Sequence, residues 1–418
     1  MAGASVAGLR IAAAAGGTKG DAAMFSEHRS PLQGREVVIV EAARTPIGRG
    51  HAAKGVFRDV HPNELLGAAY RAVIERAGIE PELVQDVVAG AVSQVGEQSN
   101  NIARNAWLQA GLPVTTPAAT VDRQCGSGQQ AVSYAAGLIA AGVHDVMIGA
   151  GVEHMGRVPM GSGVAHPDEF GVPYPPELMA RYELIPQGLS AELIAERYEV
   201  SRAEQDELGL RSHRLAARAT DEGRFEREIV PVQAGGETIS SDQGIRRDTS
   251  LEALAALRPA FKEGGTVTAG NSSQISDGAA AVLLMAREKA DELGLTPRAR
   301  IFDAITVGVD PVIMLTGPIP ATQQLLRRNH LVIDDLDLIE INEAFASVVG
   351  AWRHELRPDM DKVNVNGGAL ALGHPLGSSG ARLIVTLLHE LERSDGELGL
   401  VTMCTAGGTG TGTILQRL

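Results

Sequence analysis

Aromatic residues, cysteine and positively charged residues are all scarce in this sequence, and each shortage limits the class of protein to which the chain can belong. Aromatics make up 3% of the 418 residues, while glycine occurs 49 times, a composition typical of helices packed closely on sheets. The two cysteines, Cys125 and Cys404, are too few for the disulfide framework of a small secreted domain. No apolar run reaches the roughly 18 residues of a membrane span. The formal net charge of −14 argues against non-specific binding to nucleic acid.

The length of the chain and its alternation of strand and helix patterns predict more than one domain. A chain of 418 residues exceeds one ordinary hydrophobic core. Residues 1–34 are rich in alanine and glycine without amphipathic periodicity, so we expect a disordered extension there, on a cytoplasmic protein. From Val37 onward, β-branched runs alternate with helical patterns, which predicts βαβ units and a mainly parallel sheet. A proline-rich stretch over about 151–265 interrupts this rhythm and is interpreted as an inserted lid.

Cys125 stands at the centre of the most informative stretch, between a β-prone run and a predicted buried helix. The small residues Gly126 and Gly128 allow a tight turn and close approach of a substrate. Unpaired N–H groups at a helix N-terminus favour negative charge, so we expect the pKa of this thiol to lie below its usual value of about 8.5. Taken alone, the residue is equally a buried structural cysteine.

Three later segments place reactive groups after predicted strands, where open α/β sheets bind ligands. His374, held between a glycine and a proline, is a candidate base for Cys125. Cys404 offers a second proton donor and acceptor, and Asn342 offers a side chain that holds a water or a carbonyl oxygen. Each also has a plain structural interpretation: Asn342 as a helix cap, His374 as a turn residue and Cys404 as part of the core.

Together these segments resemble the thiolase family, in the right order over residues 36–418. The matching motifs are DRQCGSGQQA at 122–131, TAGNSSQISDGAA at 268–280, DPVIMLTGPIPA at 310–321, NEAFA at 342–346, NVNGGALALGHPLG at 364–377 and TMC at 402–404. Three segments (96–104, 273–276 and 314–317) are most similar to degradative thiolases of actinobacterial acyl-CoA or steroid catabolism.

The resemblance implies an α/β fold of duplicated βαβ halves, layered α-β-α-β-α, with an inserted loop or lid domain. The first half is assigned to residues 35–151 plus 234–285 and the second to residues 286–418. The lid is assigned to about 152–265, with approximate boundaries. The resemblance also implies a homodimer or homotetramer.

The activity implied is that of an acyl-CoA:acetyl-CoA acyltransferase, acting in fatty acid β-oxidation or steroid degradation. Cys125 attacks a 3-oxoacyl-CoA, acetyl-CoA leaves, and CoA releases the acyl group from the Cys125 thioester; the reverse Claisen condensation uses the same groups. His374 activates the thiols and Cys404 handles the proton of acetyl-CoA. CoA is a co-substrate, and no permanent cofactor or metal is expected.

The resemblance also assigns the supporting contacts. Asn342, through a water, forms one oxyanion site with His374, and the backbone N–H groups of Cys125 and Ala406 form the other. Ala406 stands where the family usually has glycine, and would be strained if its φ were positive.

CoA itself is expected to contact two further residues. Arg246 would lie near the nucleotide, with Arg247 as a neighbouring candidate, and Ser273 would bond the pantetheine. A surface ion pair of Arg246 with Asp242 or Asp248 is the alternative.

Two other functions stay open on the sequence. A ketosynthase-like condensing enzyme shares the cysteine nucleophile and the fold, but decarboxylative condensation does not need a proton-handling residue such as Cys404. A non-catalytic homologue that binds acyl-CoA or lipid is the other alternative, and Ala406 is the departure that favours it.

Overall fold

The structure is a computed structural model that describes residues 34–418, so apart from Gly34 the predicted disordered extension lies outside the described residues. The strands are β1 (Val37–Arg44), β2 (Gly48–Arg49), β3 (Asp86–Gly90), β4 (Ala118–Val121), β5 (Val146–His154), β6 (Val232–Ala234), β7 (Glu237–Ile239), β8 (Ser276–Ala286), β9 (Ala299–Gly308), β10 (Leu338–Ile341), β11 (Leu398–Thr405) and β12 (Thr409–Arg417). The α-helices are α1 (Pro62–Ala77), α2 (Ile102–Gln109), α3 (Ser127–Ala140), α4 (Pro167–Phe170), α5 (Pro176–Arg181), α6 (Gln187–Arg197), α7 (Arg202–Asp221), α8 (Leu251–Ala255), α9 (Arg287–Glu292), α10 (Pro318–Arg328), α11 (Ala346–Leu356), α12 (Ala369–Leu372) and α13 (Leu376–Ser394).

The main sheet is mixed, so the prediction of a mainly parallel sheet is wrong. Its strands follow the order β10-β11-β12-β9-β1-β8-β5-β3-β4, with β2 beside β8. Parallel pairing occurs between β3 and β4, β3 and β5, and β10 and β11, whereas the other pairs are antiparallel. The reason is that the last strand of each half runs antiparallel to the strand before it. A short turn joins β11 to β12, and the long insertion between β5 and β8 is not the helical crossover that a parallel pair needs.

The two halves repeat one strand order, as expected of a duplicated fold. The first half runs β1-β8-β5-β3-β4, and the second runs β9-β12-β11-β10. An isolated parallel bridge between Ile339 and Val363 stands where the fifth strand of the second half would lie. The halves join edge to edge, because Val38 and Ile39 of β1 pair with Arg300 and Ala299 of β9.

The described elements stack in five layers, α-β-α-β-α, around three large hydrophobic cores. The first core lies under α1 and α2, where Tyr70 and Trp107 pack edge to face at 5.6 Å. The middle core lies around α3 and α13, which are sandwiched between the two halves of the sheet. The third core lies under α10 and α11 around Trp352. Every residue of α13 from Leu376 to Leu391 is buried, which accounts for its lack of a polar outer face.

The segment between β5 and β8 contacts both halves of the chain. Its helices α6 and α7 pack against α11 and α12 of the second half. Its buried carboxylates Glu228 and Asp242 bind Arg44 of β1 in the first half, at 2.5 Å and 2.8 Å. The segment therefore ties both halves together. None of the described helices has the length and apolarity needed to cross a membrane.

Candidate active site

Cys125 lies in a tight turn between β4 and α3 and is 4% exposed. Gln124, immediately before it, has a left-handed backbone with a φ of 49°. Asp122 stabilises that conformation, because its carboxylate accepts from the Gln124 N–H at 2.6 Å. The Ser127 hydroxyl accepts from the Arg123 N–H at 2.8 Å and donates to the Gln124 carbonyl at 2.6 Å. Side chains on both sides of Cys125 thus hold the turn.

The Cys125 thiol is protonated at neutral pH, and the expectation of a lowered pKa is wrong. Burial raises the pKa of Cys125 to about 11, although the N–H groups of Ala406 and of Cys125 itself favour the thiolate. The loss of hydration outweighs what the N-terminus of α3 supplies, and the charges of Glu153 and Asp122 act in the same direction as burial. Cys125 therefore needs a base to become a nucleophile.

The hydrogen bonds of His374 fix the tautomer that a general base requires. Its Nδ1 lies 2.6 Å from the Ser379 hydroxyl, which donates its single hydrogen to the Pro375 carbonyl at 2.8 Å. The hydroxyl must therefore accept, so Nδ1 carries the imidazole hydrogen. The unprotonated Nε2 lies 3.3 Å from the Asn342 amide nitrogen, which donates to it.

Burial keeps His374 uncharged. The ring is 4% exposed. Burial, together with the positive charge of Arg382, lowers the pKa of His374 to about 3. The imidazole is therefore neutral over the whole physiological range and able to take a proton.

Asn342 and Cys404 complete the central group. Asn342 follows β10 and is fully buried, and its Oδ1 has no hydrogen-bond partner among the described residues. Cys404 lies near the end of β11, also fully buried. Burial and the neighbouring Cys125 raise the pKa of the Cys404 thiol. The two cysteines thus lie close enough to interact, although about two-thirds of the chain separates them.

Ala406 is not strained. It is absent from the non-glycine residues with positive φ in the described part of the chain, and its N–H favours the thiolate form of Cys125. The left-handed positions of this turn fall on Gly407 and Gly408, with φ values of 78° and 76°. An alanine at 406 therefore keeps the backbone donor that the oxyanion site requires.

The helices that follow Cys125 and His374 meet backbone to backbone. A Cβ on Gly128 would lie 2.7 Å from the Gly377 carbonyl oxygen, and a Cβ on Gly151 would lie 2.0 Å from the same atom. A side chain at Gly128 would push α3 away from α13, and one at Gly151 would push strand β5 away from the start of α13. The sequence motifs therefore hold glycine here because the two halves touch beside the site.

Arg246 and Ser273 lie outside this central group, and neither forms a hydrogen bond with its members in the described part of the chain. Arg246 lines a cavity of about 490 Å³. The cavity is also lined by Arg214, Arg218 and Arg247, by the acidic side chains of Asp221 and Glu222, and by His213, whose pKa burial and the charge of Arg246 lower to about 4. The Ser273 N–H donates to the Ala344 carbonyl at 2.9 Å, which places Ser273 beside the loop that follows Asn342.

The alternative ion pairs proposed for Arg246 are not formed. Asp242 binds Arg44 instead, and the guanidinium of Arg246 has no carboxylate partner among residues 34–418. Its neighbour Arg247 is held in a two-pronged pair with Asp221, with both distances at 2.8 Å. Arg246 is thus the free cation of the two.

Sequence reasoning missed Ser379 and Glu153. Ser379 stands five residues after His374, a spacing whose meaning depends on how the chain turns into α13. The Glu153 carboxylate accepts from the N–H groups of Val92, Ser93 and Gly377 at 2.9–3.0 Å. It thereby joins the loop after β3 to the start of α13. A charged residue inside the apolar strand β5 was the signal available for it. No group of three or more potential metal ligands occurs within the described residues.

Comparisons with known proteins agree with this geometry. Residues 37–288 match the family model "Thiolase, N-terminal domain" and residues 295–417 match "Thiolase, C-terminal domain". The chain is 47% identical to the steroid 3-ketoacyl-CoA thiolase FadA6 of Mycobacterium tuberculosis, over 92% of this chain and 94% of that protein. It is 44% identical to a peroxisomal 3-ketoacyl-CoA thiolase of Arabidopsis thaliana, over 95% and 87%. The crystal structure of the Bacillus anthracis acetyl-CoA acetyltransferase matches with a TM-score of 0.84 and 40% identity, over 92% of this chain and 99% of that one.

Proposed function

We infer that this chain, which belongs to the thiolase family, uses Cys125 as the nucleophile of the family's reaction. It is an acyltransferase that cleaves a 3-oxoacyl-CoA with CoA as co-substrate, giving acetyl-CoA and a shortened acyl-CoA. The observation that carries the assignment is the position of the Cys125 sulfur. The Ala406 N–H favours its thiolate form, and the sulfur lies next to Cys404 and at the start of the helix that touches α13.

In the first step, His374 Nε2 takes the Cys125 proton as the sulfur attacks the 3-keto carbon. The thiol and the imidazole are both uncharged at the start, so the proton moves as the sulfur bonds to the carbon and no free thiolate is formed beforehand. The Ser379 hydroxyl then holds the Nδ1–H of the imidazolium, so the ring keeps its orientation as it becomes charged.

In the second step the C2–C3 bond breaks, and the acyl group stays on Cys125 as a thioester. The electron pair of that bond passes to C2 of the departing acetyl-CoA, which takes a proton from Cys404. The raised pKa of the Cys404 thiol keeps its proton in place until the enolate forms. The His374 imidazolium then passes its proton to the Cys404 thiolate. His374 next takes the proton of CoA as that thiol attacks the thioester, and returns it to the departing Cys125 sulfur.

Two sets of donors face the charges that develop. The N–H groups of Cys125 and Ala406 serve the tetrahedral oxyanion on the acyl carbon. Asn342, acting through a water, serves the enolate oxygen together with His374. Removal of one such donor typically costs about 10²–10³ in rate.

CoA is bound by the inserted segment in this proposal. The cavity at Arg246 gathers several basic side chains in an otherwise acidic protein, and the Arg246 guanidinium is not neutralised by a carboxylate. Ser273 lies where the pantetheine would pass toward Asn342. The division into halves at 35–151 plus 234–285 and 286–418, with a lid at about 152–265, is part of the same proposal.

We further propose a homodimer or homotetramer in the cytoplasm that degrades fatty acyl or steroid side-chain substrates. The edge strand β4 supports self-association, because the main sheet of the described residues ends there with one side unpaired. The relative from Mycobacterium tuberculosis supports the steroid side chain, and the other 3-ketoacyl-CoA thiolases support fatty acyl chains.

The test is a Cys125→Ala variant assayed for thiolysis of acetoacetyl-CoA, a long-chain 3-oxoacyl-CoA and a steroid side-chain 3-oxoacyl-CoA. We expect turnover to vanish for all three while CoA binding, measured by calorimetry, survives. Thiolysis retained in the variant would contradict the nucleophile assignment. The panel also ranks the substrates of the wild-type enzyme. The ketosynthase-like and non-catalytic alternatives are not favoured, since Cys404 and the Ala406 donor are both in place.

A further inference from the structure

Gln129, in the first turn of α3, joins the nucleophile's helix to the second half of the chain. Its side-chain Nε2 donates to the Val401 carbonyl at 3.2 Å and to the Thr413 hydroxyl at 2.8 Å. Its Oε1 accepts from the Thr411 hydroxyl at 2.6 Å. The amide is 1% exposed, and both of its hydrogens and its oxygen are engaged with β11 and β12. A glutamine amide supplies this combination of two donors and an acceptor.

The β11–β12 hairpin carries the other half of the chemistry. Cys404 stands three residues after Val401 on β11, and Ala406 lies in the turn that leads to β12. The contact is close, because a Cβ on Gly126 would lie 2.8 Å from the methyl group of Thr405. Gln129 therefore makes its hydrogen bonds one helical turn from Cys125, against the strands that hold Cys404 and the Ala406 N–H.

The contact of α3 with α13 differs from its contact with the β11–β12 hairpin. Toward α13 the helix packs by shape, since a Cβ on Gly380 would lie 2.3 Å from the Gln129 backbone nitrogen. Toward the hairpin it is held by directional hydrogen bonds from the Gln129 side chain. The His374 side of the site therefore does not depend on this amide, whereas the Cys404 side does.

We propose that Gln129 is a positioning residue that fixes the Cys125 sulfur relative to Cys404 and the Ala406 N–H. This inference rests on the proposed function, because it matters only if those groups act together. Displacement of a reacting group by about 1 Å costs on the order of 10²-fold in rate. For Gln129→Leu we expect kcat for thiolysis to fall about 10- to 100-fold. The KM for CoA stays within about threefold, because Arg246 and Ser273 make no contact with Gln129.

Two further variants separate positioning from stability. The triple variant Gln129→Leu/Thr411→Val/Thr413→Val removes the whole polar network, so no buried hydroxyl is left without a partner. We expect its Tm to return toward that of the wild type while kcat stays at least tenfold low. Gln130→Leu is the matched control. The Gln130 side chain accepts one hydrogen bond, from the Thr306 hydroxyl of β9, and β9 carries no residue of the site. Its kcat is expected to stay within about threefold.

Phenylarsine oxide gives a readout of geometry without turnover, since it bridges two neighbouring thiols and releases water. We expect rapid capture by the wild type, with both thiols lost to later alkylation, and capture slowed at least tenfold in the triple variant. Three results would each overturn the inference: a kcat loss below threefold in Gln129→Leu, a kcat that recovers with Tm in the triple variant, or unchanged capture. A wild type without thiolysis would instead overturn the proposed function, and the arsenical experiment would still decide the role of Gln129. If Gln129→Leu does not fold, the triple variant decides it.

Discussion

Replacement of Ser379 by alanine tests the orientation of His374 most directly. In the wild type the Ser379 hydroxyl fixes the hydrogen on Nδ1, so Nε2, which accepts from the Asn342 amide, is the nitrogen that can take a proton. When His374 accepts the proton of Cys125, the same hydroxyl accepts from a charged donor. A buried hydrogen bond to a charged group is worth about 1.5–3 kcal/mol. That range corresponds to about a 10- to 150-fold loss of kcat, at 1.36 kcal/mol per factor of ten.

The assay is steady-state thiolysis with separate values of kcat and KM. We expect kcat to fall and the KM for CoA to stay unchanged, because Ser379 makes no contact with Arg246 or Ser273. Ser378→Ala is the matched control: this serine is also buried at the start of α13, but its hydroxyl bonds no residue of the site. A Ser379→Ala enzyme with a kcat within twofold of the wild type, at unchanged Tm, would refute the reasoning.

Three further predictions concern acid stability, CoA binding and the second cysteine. Burial lowers the pKa values of His374 and His389 to about 3, so the unfolded chain binds protons first as the pH falls. The stabilisation is complete above about pH 6.5, and each histidine removes about 1.4 kcal/mol per pH unit between about pH 6 and 4, measurable by urea unfolding across that range. Burial raises the pKa of Glu340 to about 8, which opposes this loss, so the histidine contribution is measured as the slope removed in a His389→Gln variant. A slope unchanged in that variant would contradict the neutral, buried assignment. Arg246→Ala is expected to raise the KM for CoA about tenfold, the effect of losing one charged hydrogen bond. Arg247→Ala is the control and should change this KM less than threefold, because the Arg247 guanidinium is already paired with Asp221. Equal effects of the two variants would count against the assignment. Cys404→Ala should lose thiolysis about 10²-fold or more but still exchange labelled CoA into acetyl-CoA, a half-reaction that needs no carbon–carbon cleavage; loss of both reactions alike would argue against a proton-handling role.

Much of the fold was predictable because its signals are local. The apolar spacing in α1 and the glycine at its end predict that helix, and Gly78 takes the left-handed conformation at its C-terminus. The residue that caps its start was not predictable: the His61 side chain accepts from the Asn63 N–H, where a carboxylate or hydroxyl is usual. The direction of the strands was not predictable, since alternation of strand and helix does not reveal where a chain returns.

For the candidate site, residue types were predictable and their electrostatics were not. Motif resemblance indicated Cys125, His374 and Cys404, and their roles stay predictions until variants are measured. The pKa of Cys125 depends on how completely the turn is covered by the second half, which no local pattern encodes. For the same reason, the partnership of His374 with Ser379 becomes visible only once the geometry of α13 is known.

The position of β12 between β11 and β9 bears on how this protein is made. Translation delivers β9 long before β12, whereas β11 directly precedes β12, so the edge of β9 that pairs with β12 stays open until β12 leaves the ribosome. Long-range pairing of this kind closes slowly and leaves strand edges exposed in the meantime. Nascent chains are therefore vulnerable to aggregation until β12 has paired with both neighbours, and Ala406 reaches its place beside Cys125 only once the β11–β12 hairpin has formed.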